Sequence, residues 1–280
     1  MYAHHNLAWS FDLGAPQDSK TYLNKHFIGE LVFEVQDFQY KKVIISSEAF
    51  CGRSSVEKYE EIINALSPFF QIKVLMYLRR PDKYLISAYA EQCASGNTID
   101  FDSWFDFKRY QVLSLLNSLE GVFGKENLHL KLYDDVSENL LEDLYSYLGI
   151  NDLEGIALNK QRVNQSLSPQ DLSDVRQINL YTNKRHCSKV RHFFRNRSKN
   201  YKSHNNGISI ASKAQLTKIF NEALTDLSEI KERFFPRKST LFDWDIEKEL
   251  QSHIQFAEII RPESELELIV SEILEQKRTT

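Results

Sequence analysis

The segment Tyr77-Leu-Arg-Arg-Pro-Asp-Lys-Tyr-Leu-Ile-Ser-Ala-Tyr89 carries the sharpest chemistry in the chain. An apolar run delivers Arg79, Pro81 can start a helix because a first turn does not need its missing N–H, and Ser87 lies two turns into that helix. A guanidinium offers a rigid planar fork of donors that matches a phosphate, and a hydroxyl adds one more donor. Each such charge-assisted hydrogen bond contributes roughly 1.5–3 kcal/mol. The same arginine pair would serve equally to cap a sheet edge through salt bridges, and residue type leaves both roles open.

The surrounding pattern must position these groups. Lys42–Ser47 and Ile72–Leu78 are β-branched or apolar runs of strand length, and Asn127–Tyr133 alternates like a strand. Helical spacing predicts helices over 19–38, from Ser55 to about Leu66, over Pro81–Ala94 with Gly96-Asn97 as its stop, and over 101–121. Another opens at Ser137 and closes near Gly149. Strands alternating with helices predict an α/β fold with a parallel sheet, whose ligands bind beyond the carboxyl ends of the strands. Glu48 follows the Val43–Ser47 strand and would project into that crevice. The second half predicts mainly helices, over 169–184, 211–233, 245–258 and 263–277, with a basic stretch over 184–206 that is a loop or an exposed helix. We expect one domain over residues 1–280, with an α/β core to about 160 and a helical extension after it.

Composition narrows the class. The chain has 280 residues, 42% hydrophobic and 26% charged, which suits a globular core. A net charge of -4 argues against a dedicated nucleic-acid binder. Cys51, Cys93 and Cys187 have no metal-ligand spacing, which points to a reducing compartment. No apolar run is long enough for a membrane span, and Met1–Trp9 lacks the regions of a signal peptide. The expectation is a cytoplasmic protein. His129 alternates with apolar neighbours and reads as structural, and Tyr133-Asp-Asp135 reads as a strand end with Asp134 or Asp135 capping the next helix.

Arg79-Arg80-Pro81 with Ser87 resembles the 3'-phosphate-binding motif of sulfotransferases that use 3'-phosphoadenosine-5'-phosphosulfate. Other segments follow in the same order. Ser46-Ser-Glu-Ala-Phe50 is similar to the Ser-Ser-Glu segment of bacterial carbohydrate-type members. Phe123-Gly-Lys-Glu-Asn to Tyr133-Asp-Asp135, Leu148-Gly-Ile150, Val163-Asn-Gln-Ser-Leu-Ser168 and Asn221–Phe242 also resemble family segments.

The resemblance implies a P-loop-NTPase-like parallel sheet flanked by helices, with the donor as co-substrate and a carbohydrate hydroxyl, or another hydroxyl, as acceptor. It implies that Arg79 and Ser87 hold the donor's 3'-phosphate. Glu48 becomes the candidate catalytic base for the acceptor hydroxyl, in a reaction governed by positioning and charge neutralisation. His4 and His5 become candidates for the acceptor cleft, and Asn164 and Ser166 for the nucleotide or acceptor. The family's first strand and its Gly-x-x-Lys-[Ser/Thr]-Gly-Thr phosphosulfate loop have no counterpart in the sequence. The expectation is therefore a chain that matches the family from a point after that loop. Two further readings stand beside it. One is a non-catalytic remnant that binds a nucleotide or an anionic glycan. The other is an unrelated α/β protein whose basic segment (Lys184, Arg185, Lys189, Arg191, Arg195, Arg197, Lys199, Lys202) meets an anionic partner.

Overall fold

The computed structural model describes residues 25–37, 42–47, 50, 56–150, 167–182, 186–200 and 208–275. It divides into two compact units, Met1–Leu78 with Gln111–Lys131, and Arg79–Tyr110 with Leu132–Thr280.

The first unit contains α1 (Lys25–Asp37), α2 (Val56–Leu66), β1 (Val74–Leu78), α5 (Val112–Phe123) and most of β2 (Leu128–Leu132). Helices α2 and α5 pack together. Their buried residues fall at helical spacing, Tyr59, Ile62 and Leu66 on one and Leu116, Leu119 and Phe123 on the other. Burying one such large apolar side chain contributes about 1.5–3 kcal/mol. The Tyr59 and Phe123 rings meet edge-on at 6.3 Å, and the Tyr59 hydroxyl donates to the Phe50 carbonyl at 2.9 Å, so this phenol is buried without an unmet donor. Strands β1 and β2 form a two-stranded parallel sheet.

Lys42–Ser47 is not a strand: its backbone is irregular, and Val43 and Ile44 are exposed. A β-branched run becomes a strand only when a neighbour takes its ladder bonds and its faces are covered. Here β1 pairs with β2 instead.

The second unit is largely helical. It contains α3 (Pro81–Ala94), α4 (Phe101–Trp104), α6 (Tyr133–Val136), α7 (Leu140–Tyr147), α8 (Pro169–Ile178), α9 (Cys187–Asn200), α10 (Lys213–Phe234), α11 (Ile246–Ser252) and α12 (Glu263–Glu275). Short strands β3 (Ile208–Ser209) and β4 (Ile254–Gln255) pair in parallel, so the expected 245–258 helix ends early. Helix α3 has the expected bounds. Pro81 heads it, and Gly96 at φ 98° closes it by donating to the Cys93 carbonyl while Asn97 donates to that of Gln92. Helices α8 and α10 pack on α3, and the core joins Tyr89 and Cys93 of α3 to Val175 and Ile178 of α8.

The helix predicted over 101–121 is broken. Asp100 caps α4 through the Ser103 N–H, and Asp106 caps a 3-10 turn at Phe107–Arg109 through the Lys108 N–H. Side-chain acceptors that satisfy backbone donors start new turns and so interrupt a longer one. Ser137 likewise ends α6 rather than opening a helix, and the next helix begins at Leu140. The basic stretch does form a helix, α9, because Val190 and Phe194 share one buried edge.

Among the described residues no helix is long and apolar enough to cross a membrane. Nor does any group of three or more His, Cys, Asp or Glu among them gather in a way that could hold a metal ion.

Candidate functional site

Leu78, the last residue of β1, is buried, and the chain then leaves the strand through Arg79 and Arg80. Arg80 is the residue before proline and takes φ -53°, ψ 136°, the extended geometry that position favours. Its carbonyl accepts the first bond of α3, from the Tyr84 N–H at 2.9 Å. Consecutive residues in this geometry send their side chains apart, and the two guanidiniums reach different surroundings.

Arg80 is consumed by the protein. It is 8% exposed and forks onto Asp82, Nε donating to Oδ1 at 2.7 Å and Nη2 to Oδ2 at 2.8 Å. Nη2 also meets Glu249 Oε1 at 2.6 Å. Its guanidinium carbon lies 4.9 Å from the centre of the Trp244 ring, and the Trp244 Nε1–H donates to Glu249 Oε2 at 3.1 Å. Phe220 meets Trp244 edge-on at 5.1 Å. Burial pulls the Arg80 pKa down, but Asp82 and Glu249 outweigh it and hold the guanidinium above its ordinary value. Arg80 therefore performs the salt-bridge role that the sequence left open for the pair.

Arg79 does not. Its guanidinium carbon lies 5.4 Å from the centre of the Tyr133 ring, within cation–π range. Among the described residues its buried Nε has no hydrogen-bond partner, and no carboxylate forms an ion pair with it. A buried unmet donor costs about 1–3 kcal/mol, more when charged. An oxyanion in the plane of the guanidinium would remove that cost.

Tyr133 and its neighbours correct a second expectation. Tyr133 is the first residue of α6, so Asp134 and Asp135 lie within the first turn rather than before it. Asp135 accepts from Lys238 at 2.7 Å. The aromatic residue itself serves the arginine. Neither the Tyr133 contact nor the Trp244–Glu249 clamp was legible in local spacing, because both partners lie far along the chain from the arginines. The available signal was the order of segments: a tyrosine directly after the second strand.

Ser87 lies on the exposed face of α3, one turn beyond Lys83, which is also exposed. Lys83 approaches Asp82 Oδ2 at 3.8 Å. No hydrogen bond joins Arg79 to Ser87 among the described residues. Two donors of the expected phosphate site are thus present on consecutive elements, one semi-buried and one open to solvent. Glu48, His4, His5, Asn164 and Ser166 lie outside the described residues. His129 is half-buried on β2. Cys93 is a free thiol in the core, where burial pushes its pKa up to about 11, and Cys187 is free and half-buried.

No protein-family model, no curated protein and no solved structure matches the chain.

Proposed function

We propose that the chain is a sulfotransferase-like protein that binds 3'-phosphoadenosine-5'-phosphosulfate and directs its sulfuryl group to a carbohydrate hydroxyl, with Arg79 holding the donor's 3'-phosphate. The observation that carries this reading is the buried Arg79 Nε, which has no partner among the described residues, beside an Arg80 whose Nε and Nη2 already donate to carboxylates. Parallel pairing supports it further. Arg79 follows the carboxyl end of β1 and Tyr133 follows that of β2, and in a parallel α/β sheet ligands gather at those ends. In this reading the β1–β2 pair belongs to a P-loop-NTPase-like sheet, Ser87 adds a hydroxyl donor from α3, and Glu48 takes the acceptor proton.

Calorimetric titration with 3'-phosphoadenosine-5'-phosphate tests the reading, with adenosine-5'-phosphate as the control that lacks the 3'-phosphate. The expected outcome is binding of the first and at least tenfold weaker binding of the second. Arg79→Ala weakens the first by about 1.5–3 kcal/mol. Glu48→Gln leaves nucleotide binding intact and, in a form that carries the phosphosulfate loop, lowers turnover. Equal affinity for both nucleotides in the folded wild type would sink the assignment of Arg79.

A further inference from the structure

Charge is unevenly spread along this chain. Val175–Asn221 contains eleven of the 35 Lys and Arg residues and none of the 39 Asp and Glu residues. The remainder is therefore strongly acidic although the whole carries only -4. Helix α9 lies in the middle of this acid-free stretch. Its inner edge is apolar, with Val190 1% and Phe194 0% exposed, and Phe193 packs edge-on against Phe194 at 5.2 Å. Its outer stripe is hydrogen-bonding. Ser188, His192 and Asn196 are exposed at four-residue intervals, and Asn196 Nδ2 lies 2.8 Å from His192 Nε2.

Where α9 meets the end of α3 there is a cleft of about 390 Å³, lined by Ala94, Ser95, Cys187, Ser188, Arg191 and His192. Two hydroxyls, a guanidinium and an imidazole thus face one space. Arg191 currently reaches Glu91 at 2.6 Å, with side chains 30% and 52% exposed. An exposed pair of this kind contributes little and yields readily to another anion.

We propose that this cleft and the outer stripe of α9 form a binding surface for an anionic polysaccharide, with Arg191 on a sulfate or carboxylate group and Ser95, Ser188, His192 and Asn196 on sugar hydroxyls. Three observations select this class. The phenyl rings of α9 turn inward or pack on each other, so its outer stripe presents no phenyl group to a nucleobase or a lipid layer, and the His192 imidazole there is hydrogen-bonded to Asn196. Neutral hydroxyl and amide groups alternate with the cations, which suits a ligand rich in hydroxyls. The sequence pI of 6.1 lies far from the strongly basic balance of a nucleic-acid-binding domain. The surface is independent of Arg79.

The test is affinity measurement with a size-defined heparin oligosaccharide, alongside polyuridylate RNA and phosphatidylserine vesicles. The expected result is selective binding of the oligosaccharide, weakened at least tenfold by Arg191→Ala and several-fold by His192→Ala, which changes an exposed side chain and leaves the fold intact. Glu91→Gln, which frees Arg191, strengthens binding. Arg79→Ala leaves it unchanged and weakens only nucleotide binding, so the two sites fail separately. Equal or tighter binding of RNA or vesicles, or indifference to both Arg191→Ala and His192→Ala, overturns the proposal.

Discussion

Helix α3 is entered through two adjacent arginines whose surroundings differ in kind. Around Arg80, a carboxylate on its own helix, a second carboxylate from α11 and an indole close over the guanidinium. Around Arg79 there is one aromatic face and an unmet donor. Residue type is identical, so the difference lies in what the rest of the fold brings. One charge is met by carboxylates that the fold supplies, and the other is shielded with a donor left unmet among the described residues. The salt-bridge role falls to Arg80 alone.

Four substitutions sharpen that contrast. The largest effect belongs to Asp82→Ala, which strands the buried Arg80 charge. Breaking a buried pair costs about 3–5 kcal/mol, and because Glu249 remains the loss should sit near 3 kcal/mol in urea unfolding. A loss below about 1 kcal/mol would show that Glu249 alone suffices. Arg79→Met should act in the opposite direction. It removes a buried unmet donor and keeps apolar bulk, so the ligand-free protein gains about 1 kcal/mol in the same measurement. A comparable loss would mean that Arg79 is structural after all. Tyr133→Leu removes the ring beneath the guanidinium and should weaken anion binding by about 0.5–1 kcal/mol by calorimetry. Tyr133→Phe should change binding least, since it keeps the aromatic face. If the two tyrosine variants behave alike, the ring does not orient Arg79.

Much of this architecture was legible from local pattern, and its limits are physical. Pro81 and Gly96 mark both ends of α3 because proline lacks the N–H that a helix interior needs and glycine readily takes the positive φ that other residues avoid. The break inside 101–121 was hidden, since apolar spacing continues across it while Asp100 and Asp106 reset the backbone locally. Lys42–Ser47 has strand composition but an irregular backbone, with Val43 and Ile44 exposed. For the site, the place of Arg79 at a strand end could be read directly. The division of labour with Arg80 could not, because Glu249 and Trp244 come from residues well over a hundred positions away.

Helix α8 shows a related dependence on distant sequence. Ser173, Asp174 and Gln177 are buried polar residues, with Asp174 fully covered. Arg261 forks onto Asp174 at 2.7 and 2.8 Å and also pairs with Glu265. Glu258 accepts from Ser173 at 2.7 Å and from Arg176, and Gln177 brackets the Ile259 carbonyl and the Arg261 N–H. These partners lie more than eighty residues downstream, as with the 87-residue separation of Asp174 and Arg261. During synthesis from the N-terminus, α8 emerges with its polar face only partly met, by Gln170 on Asp174 and by the Thr98 carbonyl on Arg176. Its remaining polar groups are met once Glu258–Arg261 has been translated, so the packing of α8 waits on a segment more than eighty residues downstream.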